Sequence, residues 1–271
     1  MSNYFNGLVG QKSVKNKLSF YLDAFHKTSQ APFLLMAGAK GLGQPAFAKA
    51  FAKTLAHEEG DKRAHLELNC STIKNNEQFF EQIFLPLIAD NEITILFDEC
   101  HALPIDLTMA FLTIFNTESS SRKVFEWQGM AFEFNFRQQT FIFATTETDK
   151  IFPPLKDRFT NVDFEPYTSE ELAEIISIVL PDITFGEDCL AEVAKTVRNN
   201  ARSAVKRSKE IALYCGAKDT NHFTLDGFRD LSEKIGILPM GLTNTEKQLL
   251  TALKEIGSAT LTGLSAKLGL S

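Results

Sequence analysis

Short apolar runs alternate with helix-patterned stretches through the first half of this chain, and that alternation limits its fold more than any other feature. Phe33-Leu34-Leu35-Met36-Ala37, Ile93-Thr94-Ile95-Leu96-Phe97 and Thr140-Phe141-Ile142-Phe143-Ala144 read as buried strands, and Leu66-Glu67-Leu68-Asn69-Cys70 alternates like one. Helical spacing occupies 14–27, where Val14, Leu18, Tyr21, Leu22 and Phe25 share a face. It also occupies 46–53, 79–88 as far as Pro86, and 105–115. Strands and helices in alternation predict an α/β domain with a parallel sheet flanked by helices. Ligands of such sheets sit beyond the carboxyl ends of the strands, where Gly38, Asp98 and Thr145 fall.

The first strand runs into Gly38-Ala39-Lys40-Gly41-Leu42-Gly43-Gln44-Pro45, and a helix rich in Ala and Lys follows. Strand, G-x-x-x-x-G and helix form the frame of a phosphate loop, whose next two residues are ordinarily Lys and Ser or Thr. The Lys contacts the β- and γ-phosphates and the hydroxyl holds Mg²⁺. Here these positions are Gln44 and Pro45. Gln44 keeps a donor and loses the charge. Pro45 has neither hydroxyl nor backbone N–H, although the first turn of a helix tolerates it. A plain glycine turn between strand and helix is the alternative reading of the loop at this point, because G-x-x-x-x-G without its Lys is a weak signal. Asp98-Glu99 closes an apolar strand, as an acidic pair for Mg²⁺ and an attacking water would, and also as solvated strand ends often do.

The chain has 271 residues, 44% hydrophobic and 23% charged, the balance of a globular soluble protein. Its 24 phenylalanines predict an aromatic core. The formal net charge of −6 gives no overall basic footprint for nucleic acid, so a DNA contact would need a local patch. Cys70, Cys100, Cys189 and Cys215 form no C-x-x-C pair, and the histidines show no metal-ligand spacing. With no secretory leader and no run of membrane length, a reducing, cytoplasmic setting is expected.

The second half reads as helical, opened by a capping box at Thr168-Ser169-Glu170-Glu171. Helices are expected to 180 and at 187–197, 202–215 and 225–235, then at 246–256 and 261–268 as the start of a helix-turn-helix. This divides the chain into 1–166, a large α/β domain; 167–241, a small helical domain; and 242–271, a partial helix-turn-helix. Residues 124–136 predict a β-hairpin turning at Gln128-Gly129, with Met130, Phe132, Phe134 and Phe136 alternating with polar or small residues. Those phenylalanines either face the core or serve a partner.

Taken in order, these motifs closely resemble the RuvB family of AAA+ motors from about Leu8 onward. Leu8-Val9-Gly10-Gln11 is similar to the segment that lies against adenine. Gly38 to Gly43 matches the Walker A frame, and Asp98-Glu99-Cys100-His101 resembles the Asp-Glu-Ile-His Walker B. Ala144-Thr145-Thr146 matches sensor 1. Pro154-Leu155-Lys156-Asp157-Arg158-Phe159 resembles the arginine-finger motif, and Ala201-Arg202 corresponds to sensor 2. The resemblance implies ATP and Mg²⁺ as ligands. Val9, Gly10, Gly38, Gly41, Leu42, Gly43, Gln44, Pro45, Thr146 and Arg202 would surround nucleotide, and Asp98 would hold Mg²⁺ through water. Glu99 would polarise water and Arg158 would reach a neighbouring subunit. It also implies an AAA+ lid at 167–241, a winged-helix start at 242–271, a ring of identical or different AAA+ subunits, and a partner protein at hairpin 124–136.

Gln44 and Pro45 depart from the pattern, so whether the chain is an enzyme turns on them. Three functions follow. The chain is a DNA-associated ring protein of recombination, repair or replication with weak or absent hydrolysis. Or it is a non-catalytic, clamp-loader-like subunit that lends Arg158 to an active neighbour. Or it is an interaction module that kept only the fold.

Overall fold

The computed structural model describes residues 4–55, 63–116 and 121–268; positions 1–3 of the N-terminal segment and 269–271 of the last expected domain lie outside these. Two compact units divide the chain, Met1–Pro166 and Tyr167–Ser271.

In the first unit, α1 (Lys12–Thr28) buries Val14, Leu18, Leu22 and Phe25, the face expected from their spacing. Five strands form one sheet: β1 (Leu34–Ala37), β2 (Ala64–Asn69), β3 (Ile93–Asp98), β6 (Gln139–Thr145) and β7 (Thr160–Asp163). Their order is β2-β3-β6-β1-β7. Every pairing is parallel, so all strands end on the same edge. β1, β6 and nearly all of β3 are buried, which is why they read as unbroken apolar runs. The sheet is crossed by α2 (Gln44–Thr54), a π-helix at Gln78–Ile88, α3 (Ile105–Ile114) and the short α4 (Pro153–Lys156). Helices on a parallel sheet make this the expected α/β class.

The segment expected to end at Pro86 continues to Ile88 as a π-helix. Proline normally breaks a helix by losing one N–H and by clashing with the carbonyl four residues back. In π geometry bonds run five residues back, as from the Ala89 N–H to the Phe84 carbonyl at 2.9 Å, so the chain passes Pro86 without an α-helical ladder.

β4 (Arg122–Trp127) and β5 (Met130–Asn135) form the expected hairpin. Gln128 and Gly129 take φ of 51° and 76°, the positive values that a two-residue hairpin turn requires. The open choice about its phenylalanines is settled. Phe132, Phe134 and Phe136 are buried, and Phe134 lies 4.3 Å from Phe84 ring to ring. Met130 and Val124 are exposed. A partner at this hairpin would therefore meet the outward Val124, Ala131 and Glu133, not the aromatic row.

Phenylalanine makes up half of the buried residues in the core under the hairpin. Phe97 of β3 stacks on Phe143 of β6 at 4.9 Å with planes 9° apart, and Phe143 stacks on Phe159 at 4.3 Å. Phe111 on α3 meets Phe79 edge-on at 5.4 Å and Phe97 at 5.3 Å. Below the sheet, the buried Arg63 guanidinium binds Glu92 at 2.8 Å, Thr140 Oγ1 at 3.1 Å and the Gln138 carbonyl.

The second unit contains α5 (Ser169–Val179), α6 (Cys189–Lys195), α7 (Ala201–Ala217), α8 (Leu225–Ile235), α9 (Asn244–Ile256) and α10 (Leu261–Leu268). Thr168 with Glu171 and Thr243 with Glu246 form full capping boxes; the first is the one read from the sequence, and the second starts α9 at Asn244, ahead of the expected 246. A two-residue parallel pair, β8 (Thr184–Phe185) with β9 (His222–Phe223), joins the loops. The Arg198 guanidinium forks onto Glu246 at 2.8 and 3.1 Å, which fastens the α6–α7 turn to the start of α9.

Phe111→Ala removes a ring from the centre of the aromatic core and is expected to cost about 3–5 kcal/mol. Val124→Ala on the outer hairpin face should stay within about 0.5 kcal/mol. Urea unfolding of the two variants checks the contrast.

Candidate nucleotide site

The parallel sheet delivers three chain segments to one edge. β1 leaves it at Ala37, and the Gly38 N–H donates to the Thr145 carbonyl at 3.3 Å. A Cβ at Gly38 would stand 2.8 Å from Phe164 Cβ, so any larger residue would push the loop off the segment that follows β7. Gly41 and Gly43 have φ of 87° and 102°, a region that costs L-residues strain. Leu42 is buried and pins the loop inward. Gly43 caps α2, and Pro45 lies in the first turn, where its missing N–H has no helical partner. The loop is thus fully formed with proline in it.

The Gln44 side chain is spent on that loop. It is buried, and its Nε2 donates to the Gly38 carbonyl at 2.9 Å and to the Ala39 carbonyl at 3.2 Å. The amide faces the loop's own acceptors and adds no positive charge. Val9 is buried, and Gly10 has a φ of 63°. Gln11 then clasps the backbone of Glu165 with Nε2 to its carbonyl at 2.6 Å and Oε1 from its N–H at 3.1 Å. Glu165 adjoins Phe164, the residue against Gly38, so the Val9–Gly10 stretch and the glycine loop flank the same short segment.

At the acidic end, Asp98 is the last residue of β3, and its carboxylate accepts the Glu99 N–H at 3.0 Å. Glu99 takes φ of 52°, which turns the chain sharply off the strand. Thr146 Oγ1 donates to Glu99 Oε2 at 3.3 Å. His101 stands beside them, with Nδ1 2.9 Å from Thr145 Oγ1 and Nε2 3.4 Å from Glu147 Oε1. Cys70 and Cys100 lie buried near this end, and burial pushes both thiols far above their ordinary range, so neither supplies a thiolate. Among the described residues no three His, Cys, Asp or Glu side chains gather into a metal cage. Mg²⁺ bound chiefly by phosphates and one carboxylate needs none.

Arg158 follows α4 and is half-buried. Its Nε donates to the Leu112 carbonyl on α3 at 3.0 Å, and Nη1 donates to the Pro154 carbonyl. These carbonyls, rather than the neighbouring Asp157 or Asp163, are its partners. Arg202 belongs to the second unit, in the first turn of α7 behind the cap Asn200, and is exposed. On that helix Arg207 pairs with Glu210 at 2.9 Å, and Lys206 stands 3.9 Å from the same carboxylate, so part of the helix's basic charge is neutralised.

Gly38, Gly41, Leu42, Gly43, Gln44, Pro45, Asp98, Glu99 and Thr146 therefore meet on one sheet edge. The roles of Gln11, His101 and Glu147 were missed by periodicity. A carboxylate two residues past the end of β6 was the available signal for Glu147. As a fit to ATP·Mg²⁺ the site is uneven. Asp98, Glu99 and Thr146 supply the acceptors and polar hydroxyl such a ligand needs, whereas the loop offers no cation and no hydroxyl at the positions of Gln44 and Pro45.

A parallel sheet with a glycine loop after β1, an acidic pair after β3 and a threonine pair after β6 defines the AAA+ class of P-loop folds. Comparison agrees. Residues 34–167 match the family model "ATPase family associated with various cellular activities (AAA)". The RuvB subunit of the Holliday junction branch migration complex from Campylobacter fetus is 26% identical over 269 residues, covering 96% of this chain and 74% of that protein. The same subunit from Fervidobacterium nodosum is 23% identical and covers 98% and 77%. The solved RuvB Holliday junction branch migration motor of Thermotoga maritima superposes with a TM-score of 0.79 at 22% identity, over 98% of this chain and 84% of that one. The chain therefore has the AAA+ fold and is similar to RuvB over nearly its whole length.

Gln44→Ala leaves the Gly38 and Ala39 carbonyls without their buried donor. It is expected to destabilise the chain by about 1–3 kcal/mol in thermal or urea unfolding, in the absence of any nucleotide.

Proposed function

We propose that this chain works in DNA recombination or repair as a subunit of an AAA+ ring, with weak or absent ATP hydrolysis of its own. The observation that carries this reading is the Gln44 amide, committed to the loop's own carbonyls where a phosphate-binding loop ordinarily presents a lysine. A lost charge-assisted contact costs on the order of 1.5–3 kcal/mol of binding, and the missing hydroxyl weakens Mg²⁺ retention further. DNA contact in such a chain is indirect or weak, since the net charge is −6 and the basic residues of α7 are partly paired. The neighbours are other AAA+ subunits, identical or different, in the cytoplasm. No described helix is long and apolar enough to cross a membrane.

A second reading, the non-catalytic ring subunit, is favoured by Arg158. Its guanidinium is tethered to two backbone carbonyls and, among the described residues, to no carboxylate side chain, which leaves its positive charge unneutralised by an ion pair there. An arginine held in this way stabilises the charge of a transferring phosphoryl group when a neighbour presents one, and its effect on rate is large. The chain would then serve the nucleotide of the next subunit.

Nucleotide titration and an ATPase assay of the native chain beside a Gln44→Lys, Pro45→Thr double variant test the first reading. The native chain should turn over far more slowly than the double variant, and a native rate equal to that of ordinary AAA+ motors refutes it. Mixing tests the second: the native chain should stimulate a catalytic AAA+ partner and Arg158→Ala should not. Equal stimulation by both, at matched folding, removes Arg158 from the mechanism.

A further inference from the structure

The sheet edge fits one part of ATP·Mg²⁺ and not the other. The part that fits is the loop backbone. Gly41 and Gly43 take positive φ and Leu42 between them does not, the alternation from which anion-holding backbone nests are built. Among the described residues the N–H groups of Gly41, Gly43 and Gln44 donate to no acceptor. Gly41 and Gln44 are buried, so these donors gain from an anion that enters the loop. Backbone donors hold a phosphate whichever side chains flank them. The Gln44 amide, turned onto the Gly38 and Ala39 carbonyls, braces the loop that presents them.

The part that does not fit is what a third phosphate needs. That group is ordinarily held by the loop lysine and by Mg²⁺ between the loop hydroxyl and the acid after the strand. Gln44 and Pro45 supply neither the charge nor the hydroxyl. Toward β3 the edge is negative instead. β6 alone separates β1 from β3, so Asp98 and Glu99 lie two strand spacings, about 10 Å, from the loop. The end of β6 bridges that gap, with Gly38 bonded to Thr145 and Thr146 bonded to Glu99. Lys150, beyond β6, pairs with Glu147. Lys40, the loop's own cation, is exposed; water and salt screen it, and it attracts a diphosphate and a triphosphate alike. We infer that this site takes a metal-free nucleoside diphosphate in preference to ATP·Mg²⁺. Two phosphates are served by the backbone donors. A third is turned toward Asp98 and Glu99 with no lysine and no loop-held metal to offset them, and like charges repel it. The inference rests on the proposed nucleotide site and names its ligand.

Calorimetric titration of the full native chain with ADP and with ATP, each in EDTA and in excess Mg²⁺, tests it. ADP should bind in EDTA, its affinity should move less than about 3-fold when Mg²⁺ is added, and ATP·Mg²⁺ should bind at least about 10-fold more weakly, the size of one lost charge-assisted contact. Asp98→Asn should narrow that gap by raising the affinity for ATP. The Gln44→Lys, Pro45→Thr double variant should reverse the order and make ATP binding depend on Mg²⁺. ATP·Mg²⁺ binding as tightly as ADP, ADP binding only with Mg²⁺, or a gap unmoved by Asp98→Asn overturns the inference. So does a native chain that binds neither nucleotide while the double variant binds ATP·Mg²⁺, and the nucleotide-site reading then stands. If neither protein binds either nucleotide, each shown folded by its melting curve, the site reading fails together with the inference.

Discussion

The stack of Phe97 on Phe143 is the contact on which the site geometry depends. These rings lie directly opposite each other in the β3–β6 register, one and two residues before Asp98 and Thr145 respectively. Two aromatic faces 4.9 Å apart fix the separation and twist of the two strand ends far more tightly than backbone bonds alone, and such pairs contribute about 0.5–1.5 kcal/mol beyond their burial. Glu99 and Thr146 then meet because the strands beneath them cannot slide. A one-residue slip of β3 against β6 would carry Phe97 to the opposite face of the sheet, break the stack and pull the carboxylate from the hydroxyl in the same step. Phe159 extends the stack to the segment bearing Arg158, so one aromatic column supports both the acidic end and that segment.

Local pattern carried the sheet because parallel strands buried on both faces must be apolar throughout, and β1, β3 and β6 are. It carried the helix starts as well, since a capping box is a property of four consecutive residues. It did not carry β7, whose Thr160-Asn161-Val162-Asp163 has one buried residue and lies at the sheet's edge. Nor did it carry the course of the π-helix past Pro86, which depends on how the aromatic core grips Phe79, Phe80 and Phe84. The hairpin shows the limit well. Alternation located both strands and the turn, but which face is inward depends on Phe80 and Phe84 across the core, residues far away in the chain.

The same division runs through the site. Glycines at 38, 41 and 43, the acid pair and the threonine pair are local motifs and stood out in the chain. The Gln44 amide on the loop carbonyls, the clasp of Gln11 on Glu165 and the His101–Thr145–Glu147 chain are long-range or conformational. A residue type alone does not say where a side-chain proton will go. Gln44 read as a weakened phosphate ligand; its bonds make it a brace for the loop.

That brace separates folding from ligand binding. A phosphate loop whose donors point at an absent anion leaves polar groups that an anion must satisfy. Here the buried amide satisfies two loop carbonyls, and proline removes one N–H that would otherwise seek an acceptor. Both substitutions therefore act in the same direction. They lower what nucleotide could add to the loop, and the amide's bonds to the Gly38 and Ala39 carbonyls hold the loop's shape without it. The acidic end has no comparable substitute, since Glu99 and Thr146 satisfy each other only at the rim of the sheet. A loop braced in this way keeps its shape without an anion in it, while Glu99 and Thr146 at the acidic end hold each other.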